Sequence, residues 1–131
     1  MNTQSFYTSK LVETDFETTI EKLKSALAEE GFGIVSEINM QEKLKAGAGK
    51  EINKYMILGA CNPQGAYQAV QIEAHIGVLL PCNFIVRETD NGRVEVSAVN
   101  PQQTIASIGK AEMKPLADEI GSGMQKAMNN I

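Results

Sequence analysis

The chain has 131 residues, room for one hydrophobic core but not for two. Hydrophobic residues make up 43% of it, enough to build that core without disulfide staples. The formal charge is −4, and the 12 Lys and Arg are scattered among 16 Asp and Glu, which excludes the basic face that a nucleic-acid partner needs.

The opening residues, Met1-Asn2-Thr3-Gln4-Ser5-Phe6, carry neither the basic start nor the apolar run of a secretory signal. The expectation is therefore a cytoplasmic protein with no membrane partner. Phe6 to Val12 mixes aromatic and β-branched residues and reads as a first strand. Thr14-Asp15-Phe16-Glu17 fits a capping box, in which the Thr14 hydroxyl and the Glu17 carboxylate each satisfy an orphan backbone N–H. Phe16, Ile20, Leu23 and Leu27 then fall on one face of a helix running from Asp15 to Glu30, which Gly31 stops.

Phe32 to Ile38 reads as a second strand. Asn39 caps a short helical stretch, Met40 to Lys45, before the glycine-rich Ala46-Gly47-Ala48-Gly49. Tyr55 to Ala60 is a third strand, and if it extends to Cys61 then Tyr55, Ile57, Gly59 and Cys61 share a side. Asn62-Pro63 is a helix entry, since Asn accepts backbone N–H bonds and Pro lacks only a donor that the first turn leaves unused. The helix from Pro63 to about Gln71 is expected to point Ala66, Tyr67 and Val70 inward.

Ile76-Gly77-Val78-Leu79-Leu80 is an apolar run, far below the roughly 20 residues that cross a bilayer. A strand is expected from Val78 to Glu88, with Pro81 at an edge, bulge or break because it has no donor for the ladder. Asp90-Asn91-Gly92 is a hairpin turn and Arg93 to Val99 the partner strand. After Asn100-Pro101, a last helix from about Ala111 to Asn129 carries the apolar stripe Met113, Leu116, Ala117, Ile120, Met124, Ala127 and Met128. Gly121 and Gly123 weaken that helix by roughly 1 kcal/mol each, a loss repaid where the sheet or a second subunit approaches closely. The order β-α-β-(short α)-β-α-β-β-α describes an α+β domain, with a mixed or mainly antiparallel sheet and helices packed on one face.

Two cysteine elements carry the most distinctive chemistry: Cys61-Asn62-Pro63 and Pro81-Cys82-Asn83. A thiol just before a helix start feels the positive end of the helix, which favours the thiolate. If Cys82 lies on a neighbouring strand, the two sulfurs meet as a redox pair, a labile disulfide or two ligands of a metal; otherwise they are two small buried hydrophobes. His75, the one histidine, offers a third metal ligand, although a place at a helix end explains it without a metal, and no metal is expected. Gly49-Lys50 is no phosphate loop, because that motif requires Gly where Leu44 stands and a hydroxyl residue where Glu51 stands. No serine sits in a nucleophile elbow, and the carboxylate pairs lie in polar surroundings, so no catalytic constellation is visible.

The elements Gly59-Ala60-Cys61-Asn62-Pro63 with Ala66, and Gly77-Val78-Leu79-Leu80-Pro81-Cys82-Asn83, resemble the uncharacterised bacterial and archaeal family known as domain of unknown function 302. The similarity extends to Phe16, Leu23, Gly31-Phe32 and Asn100-Pro101, nearly the whole chain. This resemblance implies a β-α-β(4)-α fold like that of the TATA-binding-protein class, and a homodimer. It supplies no reaction, cofactor or catalytic residue, and the fold implies no DNA binding.

Three readings follow for Cys61, Asn62, Pro63, Pro81, Cys82 and Asn83. The leading one is a homodimeric module that binds a small-molecule ligand near the two cysteines. The second is a thiol redox or thiol-transfer enzyme with Cys61 as the activated sulfur and Cys82 as its resolving partner. The third is a structural subunit in which the cysteines only pack and the Gly121/Gly123 helix face makes the dimer contact.

Overall fold

The computed structural model describes residues 2, 3 and 6–131. The strands are β1 (Asn2–Thr3), β2 (Tyr7–Val12), β3 (Gly33–Asn39), β4 (Tyr55–Cys61), β5 (Cys82–Glu88) and β6 (Val94–Val99). They form one antiparallel sheet in the order β1-β2-β6-β5-β4-β3. The helices are α1 (Phe16–Glu29), α2 (Met40–Ala48), α3 (Pro63–Ile72) and α4 (Met113–Asn129). Apart from the two-residue β1, this is the element order that the sequence predicts, and the α+β class is as expected.

Strand alternation sorts the apolar residues to one face. Val12 pairs with Val94, Val96 with Val86, Ala98 with Phe84, Phe84 with Leu58 and Cys82 with Ala60, and all of these are buried. On this layer lie α1, through Phe16, Ile20, Leu23 and Leu27, and α4, through all seven residues of the expected stripe. Leu23, Leu27, Met113 and Ala117 are wholly shielded from solvent. The opposite face of the sheet carries Leu11 and Ile38 exposed, with Tyr7, Tyr55, Ile57, Ile85 and Val99 half-buried.

The local signals act as their chemistry dictates, with three corrections. Asn39 and Asn62 cap α2 and α3 by accepting from the Glu42 and Gly65 amides, each at 3.1 Å. Gly92 turns the β5–β6 hairpin at φ 78°. Helix α1, however, is capped by Asp15, which accepts from Thr18 N at 2.7 Å and whose carboxyl is held below the usual range by that bond. The helix starts one residue later than a Thr14 cap requires, and the Thr14 hydroxyl turns instead to the Thr19 hydroxyl at 2.6 Å.

Tyr67 and Val70 point outward, 66% and 43% exposed; the inward face of α3 is Gly65 and Ala69. Ile120 of α4 explains this, because its Cδ1 lies 3.2 Å from where a Cβ on Gly65 would sit, so the helix packs closely on that bare position and a side chain there would require Ile120 to shift. The third correction concerns Val78 to Leu80. The chain there forms a 3-10 helix, Ala74–Leu79, with Glu73 capping it and Val78 86% exposed, and the strand begins only at Cys82. Pro81 marks the break, as a residue with no ladder donor should.

Both glycines of α4 face neighbours within the chain: a Cβ on Gly121 would lie 3.8 Å from Pro101 Cδ, and one on Gly123 3.0 Å from Phe32 Cε2. At the end of the same helix, Lys10 of β2 donates to the Met128 and Ile131 carbonyls, both at 3.0 Å. These are charge-assisted bonds, the first to one of the last carbonyls of α4 and the second to the chain just beyond it. Lys10→Met keeps the aliphatic stem and removes both bonds. Urea unfolding should show a loss of about 1–2 kcal/mol; an unchanged midpoint would mean the clamp contributes nothing.

Candidate functional site

The two cysteine elements come together because the end of β4 pairs with the start of β5. Gly59 lies opposite Asn83 and Ala60 opposite Cys82, so Cys61 ends one strand beside the first residue of the next. Both cysteines line a cavity of about 280 Å³, walled also by Phe32, Ala69, Leu80 and Ile120. Asn62 and Pro81 complete four of the six expected site residues. The other two lie elsewhere. Pro63 is exposed in a groove between α3 and α4, and Asn83 is exposed on the opposite sheet face, in a groove with Tyr55, Ile85 and the Arg87–Glu95 ion pair. Alternation explains Asn83, which is one residue out of phase with Cys82.

Three features shape the cavity. Gly59 admits the Pro81 ring and the Ser36 side chain over the strand: a Cβ there would sit 2.6 Å from Pro81 Cγ and closer still to Ser36 Oγ. A register shift in β3 between Ile34 and Ser36 accompanies this and leaves Val35, on the cavity wall, 62% exposed. Asn62, fixed by its bond to Gly65, turns the chain from β4 into α3.

Cys61 and Cys82 are free thiols, the first half-buried and the second buried. Burial, followed by the presence of Cys61, pushes the Cys82 thiol up to about 11. His75 is not near them in role: its side chain is 90% exposed, lies beyond α3 in the 3-10 helix, and bonds the Glu73 carboxylate at 2.8 Å. Among the described residues, no group of three or more His, Cys, Asp and Glu is placed to hold a metal ion.

Glu73 anchors the segment that leads into the cavity wall. Its carboxylate accepts from the His75 backbone N–H at 2.8 Å and pairs with Lys110 Nζ at 3.0 Å, and Lys110 also donates to the Ile72 carbonyl at 3.1 Å. The His75 N–H first, then Lys110 and the His75 ring, bring the Glu73 carboxyl down to about 2. Leu80 and Pro81 follow directly on the segment held in this way.

Phe32, Ala69, Leu80 and Ile120 are not among the expected site residues: Ile120 reads as part of the α4 stripe, Phe32 and Leu80 as strand residues, and Ala69 carries no signal. The one legible hint is the length of the Ile76–Leu80 apolar run, more than a short connection requires.

The profile of the family described as domain of unknown function DUF302 matches residues 7–131. The crystal structure of an uncharacterised conserved protein DUF302 from Bacillus stearothermophilus is similar throughout, with a TM-score of 0.89 and 26% identity, covering 95% of this chain and 97% of that one. No curated protein matches the sequence.

Two outcomes test the site's construction. Gly59→Ala should destabilise the fold by about 1–3 kcal/mol through overpacking against Pro81 and Ser36, read as a lowered urea midpoint; a neutral result would show that the Pro81 ring moves freely. Glu73 has a folded pKa below its ordinary 4.5, so the stability it contributes is present above pH 4.5 and is lost as pH falls towards 2. The stability gap between wild type and Glu73→Gln should therefore narrow through that window in acid titrations, and a pH-independent gap would contradict the assignment.

Proposed function

The chain belongs to the DUF302 family, and we propose that it is a homodimeric module that binds a small, mainly apolar molecule in the Cys61–Cys82 cavity. One observation carries this reading: an apolar concavity of about 280 Å³ at the junction of β4, α3 and α4, with both distinctive cysteine elements in its wall. An engineered cavity of about 150 Å³ lined by aliphatic and aromatic side chains takes up benzene, so this one suits a somewhat larger molecule. Burial of apolar surface supplies the affinity, at about 25 cal/mol per Å² before the cost of immobilisation. The dimer draws its support from the second sheet face, where Leu11, Ile38, Ile57 and Ile85 leave apolar surface outside the core. In this reading, it is that face, rather than Gly121 and Gly123, that meets the second copy.

The enzyme alternative, redox or transfer chemistry by Cys61 with Cys82 resolving, draws on the same meeting of thiols. Against it stands the Cys82 thiol at about 11, which leaves roughly one molecule in ten thousand as thiolate at neutral pH. Membrane partnership has no support from the helices: none among the described residues is long and apolar enough to cross a bilayer.

The neutral fluorophore N-phenyl-1-naphthylamine tests the binding site. Ala66→Phe, on the cavity wall, should weaken its binding at least tenfold with cooperative unfolding retained, while equal binding by both proteins would discard the site. Sedimentation velocity over a range of concentrations tests the dimer, and a persistent monomer removes that part. In a Cys61→Ala variant, the alkylation rate of Cys82 should keep rising with pH towards 11; in a Cys82→Ala variant, a Cys61 alkylation plateau below about pH 7.5 would favour the thiol enzyme, and one near the ordinary value of about 8.5 would count against it.

A further inference from the structure

We infer that the molecule bound in the cavity ends in a neutral hydrogen-bond acceptor, a ketone, ester or amide carbonyl, and that the side-chain amide of Asn62 recognises it. This inference rests on the ligand-binding reading above and adds the chemical class of the ligand.

Asn62 lines two concavities at once. One is the apolar cavity; the other is a groove of about 460 Å³ between α3 and α4, with Gln64, Gln68 and Glu119 in its wall. Ile120 is the other residue common to both, so the apolar cavity and the polar groove adjoin at these two side chains.

The orientation of the Asn62 amide is fixed by chemistry. The Gly65 N–H lies 3.1 Å from one amide atom, and a donor requires an acceptor, so that atom is Oδ1. The NH₂ group is then directed to the other side, 3.5 Å from the Cβ position of Gly31. Among the described residues it has no acceptor. Asn62 therefore serves the helix with its oxygen and leaves two N–H donors beside Gly31, in the wall of the groove that adjoins the cavity, so the acceptor end of the ligand reaches past Asn62 into that groove while its apolar body stays in the cavity.

The remaining wall selects among acceptors. Neither concavity is lined by a Lys, Arg or His, and the groove carries the carboxylate of Glu119. A carboxylate or phosphate would be desolvated there with no cation to meet it, a cost of several kcal/mol. A neutral carbonyl incurs a far smaller loss and finds the amide donors. Phe32, Leu80 and Ile120 provide the surface for the apolar body.

The probe is 2-nonanone, with N-phenyl-1-naphthylamine, which has no carbonyl, as the control. Asn62→Asp keeps an oxygen for Gly65 N–H and removes the donors. It should weaken 2-nonanone binding about tenfold, as expected for loss of a partly buried hydrogen bond, and weaken the control by a clearly smaller factor. The carbonyl stretch of 2-nonanone bound to the wild-type protein should lie below its value in hexane and should return towards that value in the variant. Equal loss of both probes, loss of neither, or a hexane-like carbonyl stretch in the wild type would each overturn the inference while the cavity reading stands. If neither probe binds the wild-type protein, the cavity reading falls and takes the inference with it.

Discussion

The pairing of β4 with β5 is the constraint on which the site depends. Its register, from Tyr55 opposite Arg87 to Ala60 opposite Cys82, brings together two sequence elements 20 residues apart and determines which side of the sheet each residue serves. A slip of one residue would carry Cys82 and Phe84 to the wrong face and empty the core. That slip is prevented by burial: Leu58, Ala60, Cys82, Phe84 and Val86 all belong to the core that α1 and α4 complete. The cavity is thus a product of the core's packing, placed where the ladder stops and α3 begins.

Much of this architecture was legible because it rests on short-range signals. The 3.6-residue period marked the buried stripe of α4 in full, and Asn62-Pro63 marked the start of α3. What was hidden depended on neighbours far away in sequence. The outward turn of Tyr67 and Val70 follows from Ile120 packing on Gly65, a contact between two helices that no window along the chain contains. The apolar run at Val78–Leu80 had the composition of a strand and became a 3-10 helix, because the Glu73 carboxylate caps it and Pro81 withholds a ladder bond. As for the site, four of its residues could be named from the cysteine motifs, whereas Phe32 and Ile120 look like any other core residue until the cavity is seen.

The prolines and asparagines beside the cysteines prove to have separate tasks. Pro81 ends the irregular segment and lies over Gly59; Asn62 turns a strand into a helix; Asn83 belongs to the far face of the sheet. Pro63 fills the first position of α3. The apparent symmetry of the two motifs is therefore a resemblance of letters. Only the thiols and the two residues adjoining the cavity share a location, and it is the asymmetric one, Asn62, that retains spare hydrogen-bonding capacity.

The Lys10 clamp bears on how the chain reaches this state. It joins a residue of β2 to carbonyls 118 and 121 positions away, and β2 itself pairs with β6. Contacts so distant in sequence form late, since a long loop must close before they repay its entropy. During synthesis β2 emerges with only the two-residue β1 beside it, and its other edge is open until β6 follows. The same lysine that secures the finished helix is, in that interval, a charge on a strand with an open edge, where charge discourages a neighbouring chain from adding itself.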